Sequence, residues 1–375
     1  MTLFQTLLNH LPLKKDRIVF VNFLGRGWGD NPKYIATELL QKKSNYDLVW
    51  LVSNKNIKLP KGIRTVLLYS RRGRYELATA KVIISNVKNA LPYTKKEGQY
   101  YIQTWHGDFP LKYIEKEAED TLDSAYLSET KADSRKTDLI LSGSRFFSTI
   151  VRESFWYNGE ILESGLPRND IFFDKDSFIP QQIRKQLGIS QQADIVLYAP
   201  TFRDNGSAFP FPDFIAILNM LEKITGKEWV FVVRLHPNDL TRSGEIRFCS
   251  KVINGSVLSD MQELEKAADL LITDYSSIMY DFVLQNKPVI LFTPDLDSYR
   301  TNCRDLRPLY NELPFVRAVS HLELIEKLPM LFSRIYQEKV EAFFKKEVLS
   351  FDDGLAAKRV VERIHQVISN NGEES

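Results

Sequence analysis

Short apolar, β-branched runs alternate along the whole chain with longer stretches of helical periodicity, the pattern of α/β domains built on parallel sheets. Residues 17–23, 46–52, 64–68, 82–85, 100–104, 139–142 and 161–165 read as strands of a first half. Residues 194–198, 229–234, 252–253, 270–273 and 288–292 read as strands of a second. Helices are expected at 32–42, at 179–187 and from Ser276 to about Gln285, and the pattern is helical from Ser320 onward. Composition turns polar between Arg168 and Ala193, which places a join there. The reading is an α/β protein of two doubly wound, Rossmann-like domains, residues 1–185 and 186–375, facing a cleft as in the GT-B architecture. The last helix is allowed to pack back on the first domain.

Length agrees, because 375 residues exceed one ordinary core and suit two. Lys and Arg number 50 against 48 Asp and Glu, so net charge selects no polyanionic partner and no nucleic acid is expected. Two cysteines, Cys249 and Cys303, stand in unrelated contexts and suggest neither a disulfide framework nor a cysteine metal site. No apolar run is long enough to span a membrane, and the N-terminus lacks the order of a secretory signal. Its stripe Leu3, Phe4, Leu7, Leu8 and Leu11 is helix-periodic and is followed by Lys14, Lys15 and Arg17. That segment is either a first helix packed on its own domain or, with the basic cluster around Arg71, a peripheral contact for an anionic membrane. The expected location is the cytoplasm, at the inner face of the membrane.

Chemistry concentrates where strands end, the edge at which open α/β sheets bind ligands. His106 follows the strand at 100–104 and His236 the strand at 229–234, one in each half, out of five histidines. After the strand at 194–198 come Thr201, Arg203 and Asp204, and an Arg there suits bidentate contact with phosphate. After the strand at 270–273, Thr273, Ser276 and Ser277 lead into a helix whose first turn favours an anion, and Asp281 lies one turn on. Plain helix capping explains the serines equally well. Arg168 and Asp170 end the first half and read either as acceptor-side residues or as a structural pair. Asp295-Leu296-Asp297 spells a D-x-D but sits in a loop and reads as structural, so no metal and no cofactor are expected.

Taken in order, these segments resemble the CDP-glycerol glycerophosphotransferases, the primases and polymerases of teichoic acid synthesis. Gln103-Thr104-Trp105-His106-Gly107 with Leu111-Lys112 resembles that family's Q-T-W-H-G-x-P-L-K signature. Gly165 to Asp170, Tyr198 to Asp204, Arg234 to Pro237 and Thr273 to Ile278 with Asp281-Phe282 follow in the family's order. Lys287-Pro288, Asp295 with Tyr299, and Phe351-Asp352-Asp353-Gly354 complete it. The match runs from about residue 17 to 365. Two stretches depart from the pattern: Asp108-Phe109-Pro110 is one residue longer than usual, and residues 300–314 lack a Gly-Pro-rich segment.

The resemblance implies transfer of glycerol phosphate from CDP-glycerol to a hydroxyl of a lipid-linked glycan or polyol-phosphate acceptor, with release of CMP. It implies His106 as general base and His236 as a ligand of the diphosphate, an assignment that the two histidines could exchange. Thr201, Arg203, Arg234, Thr273, Ser276, Ser277 and Asp281 are then expected to bind the donor, and Lys112, Arg168 and Asp170 to serve the acceptor or the domain boundary. A CDP-ribitol or other CDP-polyol donor is the alternative within the class, and a GT-B sugar transferase using a UDP-sugar the alternative outside it.

Overall fold

Each anticipated strand is present, with its ends shifted by at most a few residues. A computed structural model describes residues 7–42, 45–88, 95–203, 209–303 and 305–369. The chain divides into two units: residues 1–108, 114–170 and 350–375 form unit 1, and residues 109–113 and 171–349 form unit 2.

Unit 1 carries β1 (Lys14–Val21), β2 (Asp47–Val52), β3 (Ile63–Leu67), β4 (Ala80–Ser85), β5 (Tyr100–Gln103), β6 (Leu139–Ser142) and β7 (Glu160–Glu163). They form one parallel sheet in the order β3-β2-β1-β4-β5-β6-β7. Its central strands read as uninterrupted apolar runs because both faces are covered. Ile18, Phe20, Trp50, Val82 and Ile84 face one apolar cluster, and Val19, Val21, Val49, Leu51 and Ile83 face another. The final helix, Ala356–Ser369, belongs to this unit and adds Val360, Val361 and Ile364 to the first cluster. Burying three such side chains contributes roughly 1.5–3 kcal/mol each.

Unit 2 carries β8 (Asp194–Tyr198), β9 (Trp229–Val233), β10 (Val252–Asn254), β11 (Leu270–Thr273), β12 (Val289–Phe292) and β13 (Val316–Ala318), a parallel sheet ordered β10-β9-β8-β11-β12-β13. β13 was not anticipated. Three residues with an Arg at the centre make no apolar run, and the strand exists by pairing with β12. In both sheets the strand order reverses beside the first strand, between β1 and β4 and between β8 and β11. Loops leaving those strands diverge there and open a crevice for ligands.

The N-terminal stripe divides. Leu8 is buried and Leu11 packs against the same cluster as Val19 and Val21, whereas Leu7 is 63% exposed; Leu3 and Phe4 lie outside the described residues. In the basic cluster around Arg71, Arg72 pairs with Glu76; two further basic pairs, Lys95-Lys96 and Lys345-Lys346, have Lys95 with Asp138, Lys96 with the carbonyl of Leu11 and Lys346 with Glu347. Among the described residues no helix is long and apolar enough to cross a membrane.

Candidate active site

In unit 1 the polar residues gather at the β1/β4 reversal. Asn22 and Asn86 directly follow those strands, and Asn86 Nδ2 donates to Asn22 Oδ1 at 2.9 Å. Loop 22–31 is bent by residues with φ in the left-handed region, Phe23 at 41°, Leu24 at 54° and Asp30 at 55°. Strain of this kind persists only where surrounding contacts over-determine it. Gly25 has no alternative, since a Cβ there would meet Ser53 N at 2.5 Å.

His106 lies three residues past β5. Its Nδ1 is 2.8 Å from the carbonyl oxygen of Asn86, its ring faces the edge of Phe23 at 5.8 Å, and Trp105 lies 4.6 Å from it. Trp105 itself has φ of 53°. Asn31 donates from Nδ2 to the carbonyls of Thr104 and Trp105 at 3.3 Å and accepts from Arg168 N–H at 3.1 Å. Arg168 pairs with Asp30 at 2.9 Å, both buried. Although one side of His106 is open to solvent, the protein packed around it desolvates the imidazolium and lowers its pKa. The Asn86 carbonyl and Asp30 oppose this, and Arg168 adds to it. A carbonyl oxygen can only accept, so Nδ1 carries the proton and Nε2 presents a lone pair.

The acceptor-side expectations separate here. Arg168 stands beside His106, within the network just described. Asp170 does not serve a ligand: its two oxygens accept from the N–H groups of Ala356 and Ala357 at 2.9 and 2.7 Å, at the start of the last helix. Burial lifts its pKa to about 6. Lys112 falls in unit 2, where it bridges to Leu306 and its Nζ lies 5.4 Å above the ring of Tyr299.

In unit 2 the β8/β11 reversal is built on charge. Asp274, one residue past β11, accepts from the N–H groups of Thr201 and Tyr275 at 2.9 and 2.6 Å. Its other oxygen accepts from both terminal nitrogens of Arg203 at 3.1 Å. Arg203 also donates from Nε to Asp295 at 2.7 Å, from Nη2 to Asp295 at 3.1 Å, and from Nη1 to the carbonyl of Thr201. These contacts engage all five N–H groups a guanidinium possesses. Phe209, Tyr275 and Tyr299 enclose its faces at 4.1, 4.9 and 4.9 Å. The expectation that Arg203 grips a diphosphate is therefore corrected: its fork is bidentate toward carboxylates and it holds the two strand ends together. Asp295, the first residue of the D-x-D, is a member of this cage and also accepts from Tyr275 Oη at 2.9 Å. Among the described residues no group of three His, Cys, Asp or Glu is disposed to hold a metal ion.

Three further donor-site expectations change. Thr273 Oγ1 donates to the carbonyl of Ala199 at 2.7 Å and is fully buried. Arg234 Nη1 donates to the carbonyls of Gly255 and Leu258 at 3.1 and 2.6 Å, stapling the turn after β10. Asp281 is 2% exposed, inside the helix Ile278–Val283 rather than on an open face. Thr201, Ser276 and Ser277 remain available. Thr201 Oγ1 is buried without a hydrogen-bond partner among the described residues, and the two serines are half-buried at the start of that helix. Asp204 lies outside the described residues.

His236 stacks on Phe202 at 4.4 Å, and its Nδ1 accepts from the N–H of Asn238 at 3.1 Å. With Nδ1 accepting, the ring proton is on Nε2. The two rings are thus held as opposite tautomers, His106 with its proton on Nδ1 and His236 with its proton on Nε2.

Sequence reasoning missed Asn22 and Asn86, and gave no role to Asp274 within the turn it singled out. Each is the first residue after a central strand, which is the one signal that could have flagged it.

Two open parallel sheets, each with its polar residues at the strand reversal, make a two-domain α/β protein of the GT-B type. Residues 3–366 match the family described as CDP-Glycerol:Poly(glycerophosphate) glycerophosphotransferase, and the chain belongs to it. A teichoic acid poly(glycerol phosphate) polymerase of Staphylococcus epidermidis is 32% identical over 95% of this chain, which spans 51% of that relative. The polymerase of the same description from Bacillus spizizenii is 27% identical, covering 94% of this chain and 93% of its own. The solved wall teichoic acid polymerase TagF is 28% identical and superposes with a TM-score of 0.85, over 99% of this chain and 94% of its own.

Proposed function

We propose that this protein transfers glycerol phosphate from CDP-glycerol to an acceptor hydroxyl, with His106 as base and His236 as a hydrogen-bond donor to the diphosphate. The observation that carries the assignment is the opposite pair of Nδ1 partners, a carbonyl for His106 and an N–H for His236. The acceptor hydroxyl gives its proton to His106 Nε2 as its oxygen attacks the phosphorus bearing glycerol. The bond from that phosphorus to the bridging oxygen breaks, and CMP leaves with the electron pair. Charge grows on the phosphoryl oxygens and the leaving oxygen, where fixed donors lower the barrier most. His236 Nε2–H and the hydroxyls of Ser276, Ser277 and Thr201 supply them.

A lowered His106 pKa suits this role, because the ring is then neutral and basic across neutral pH. An acceptor carried on a lipid would draw the protein to the inner membrane face as a peripheral protein, by contact rather than by a span.

The test incubates purified protein with CDP-glycerol, CDP-ribitol and UDP-sugars, with and without polyol-phosphate acceptors, and measures nucleotide release. CMP release from CDP-glycerol on acceptor addition is expected. Turnover of CDP-ribitol alone would move the donor within the class, and turnover of a UDP-sugar alone would discard the reading.

A further inference from the structure

The Asn22–Asn86 pair takes no part in the steps above, yet it is buried at 2% and 0% exposure, and it touches both the imidazole and the loop beside it. β1 and β4 are paired in register at Val21 and Ser85, so the two asparagines are the next residues out on neighbouring strands. Asn86 is engaged through its backbone carbonyl and both ends of its side-chain amide. Its carbonyl meets His106 Nδ1 at 2.8 Å, its Oδ1 accepts from Phe23 N–H at 2.8 Å, and its Nδ2 donates to Asn22 Oδ1. Asn22 Nδ2 passes the chain on to the carbonyl of Arg26 at 2.8 Å. Phe23, held by that bond, faces the His106 ring.

We propose that Asn86, braced by Asn22, is the positioning residue of His106: it fixes the tautomer that leaves Nε2 open and seats the loop from Phe23 to Arg26 against the ring. The proposal rests on His106 being the base.

Only an amide fits this post. Asn86 accepts through Oδ1 and donates through Nδ2, two separate atoms; an ionised carboxylate only accepts, and a hydroxyl must do both from a single oxygen. The pair is also neutral. The charged groups that act on His106 are Asp30, Arg168 and Glu115, and neither asparagine adds to them. A carboxylate in place of either amide would favour the imidazolium and remove base from neutral solution.

Two variants test this, Asn86→Asp and Asn22→Asp, in the full-length protein. In each, the acidic limb of the pH profile of kcat/KM is followed beside the titration of His106 by nitrogen-15 NMR. The expected result for Asn86→Asp is an upward move of both by about one pH unit, with a smaller move in the same direction for Asn22→Asp, whose carboxylate is one residue further away. Asn86→Ala keeps the backbone carbonyl on His106 Nδ1 but removes the side-chain bonds that anchor that carbonyl and the Phe23 loop, and should lower kcat by about tenfold with KM little changed. Limb and titration both unmoved in the two Asp variants, with parental kcat in Asn86→Ala, would overturn the proposal. A moved titration with an unmoved limb would overturn the assignment of His106 as base instead. If Asn86→Asp does not fold, Asn22→Asp carries the same readouts, since Asn86 Nδ2 can still donate to the new carboxylate.

Discussion

At the strand reversal of unit 1 two neutral amides meet, Asn22 and Asn86, and at the same place in unit 2 an arginine is locked between Asp274 and Asp295. Both arrangements tie together the ends of the two central strands, and both are buried. They differ in charge. In unit 1 the link is neutral, which leaves His106 as a group free to change its protonation. In unit 2 one cation faces two carboxylates, so the link carries a residual negative charge and is no seat for a diphosphate. The proposed function leaves anion binding there to the half-buried hydroxyls and to His236. The same topological position can thus be built around a neutral link or around a charged one.

The sharpest way to break this comparison is to remove each histidine. His106→Ala and His236→Ala are each expected to lower turnover about 10²–10⁴-fold, the range of acid–base and charge-stabilising groups. They should differ in pH behaviour. His106 has a lowered pKa in the fold, so the acidic limb of the parent lies below the ordinary histidine value. That limb should vanish in His106→Ala and persist in His236→Ala. Loss of the limb in His236→Ala would reverse the two roles.

Next in size is Arg203→Lys. An ammonium has three donors and no planar fork, so it keeps the charge but leaves Asp274 and Asp295 partly unpaired in a buried site, a loss of about 1–3 kcal/mol. Denaturant unfolding is the measurement. A parental midpoint with impaired CDP-glycerol binding would return Arg203 to the substrate.

Asp170→Ala removes the cap of the last helix and should cost about 0.5–2 kcal/mol. The sign of its pH dependence follows from burial. Its pKa in the fold, about 6, lies above the unfolded carboxylate value, so its contribution is complete in acid and declines as pH rises toward 6. The deficit of the variant should therefore be larger at low pH than at neutral pH, and an equal deficit throughout would contradict the pKa.

The smallest effect is expected from Thr201→Val. Its buried hydroxyl has no hydrogen-bond partner among the described residues, so stability should be unchanged or rise by about 1 kcal/mol. If Thr201 binds the donor, KM for CDP-glycerol rises several-fold, and an unchanged KM removes Thr201 from the site.

Most of the fold was legible because strands buried on both faces write themselves as apolar runs, as Trp229–Val233 does. β13 was not, because its existence depends on a partner strand rather than on its own residues. In the site, strand-end placement was enough to find both histidines and the Thr-Asp-Tyr-Ser-Ser turn. It misjudged Arg203, because the residues that decide an arginine's role, Asp274 and Asp295, are 71 and 92 positions away in sequence. Thr273 and Arg234 were misread for a related reason: their partners are backbone carbonyls, which no residue pattern announces.

The return of the last helix to unit 1 has a consequence for synthesis on the ribosome. All seven strands of that unit emerge before residue 171, but Val360, Val361 and Ile364 cover one face of their sheet. Asp170 likewise waits for the amides of Ala356 and Ala357. At roughly 5–20 residues per second the wait lasts on the order of 10–40 s. The first unit to be translated is thus the last to be finished, and unit 2 can complete its own core in the interval. For that period the part of the sheet face not covered by Ile35, Ala36 and Leu39 is open, and exposed apolar surface of this kind makes a nascent chain prone to aggregate. A stop codon ahead of the last helix would leave that face uncovered for good.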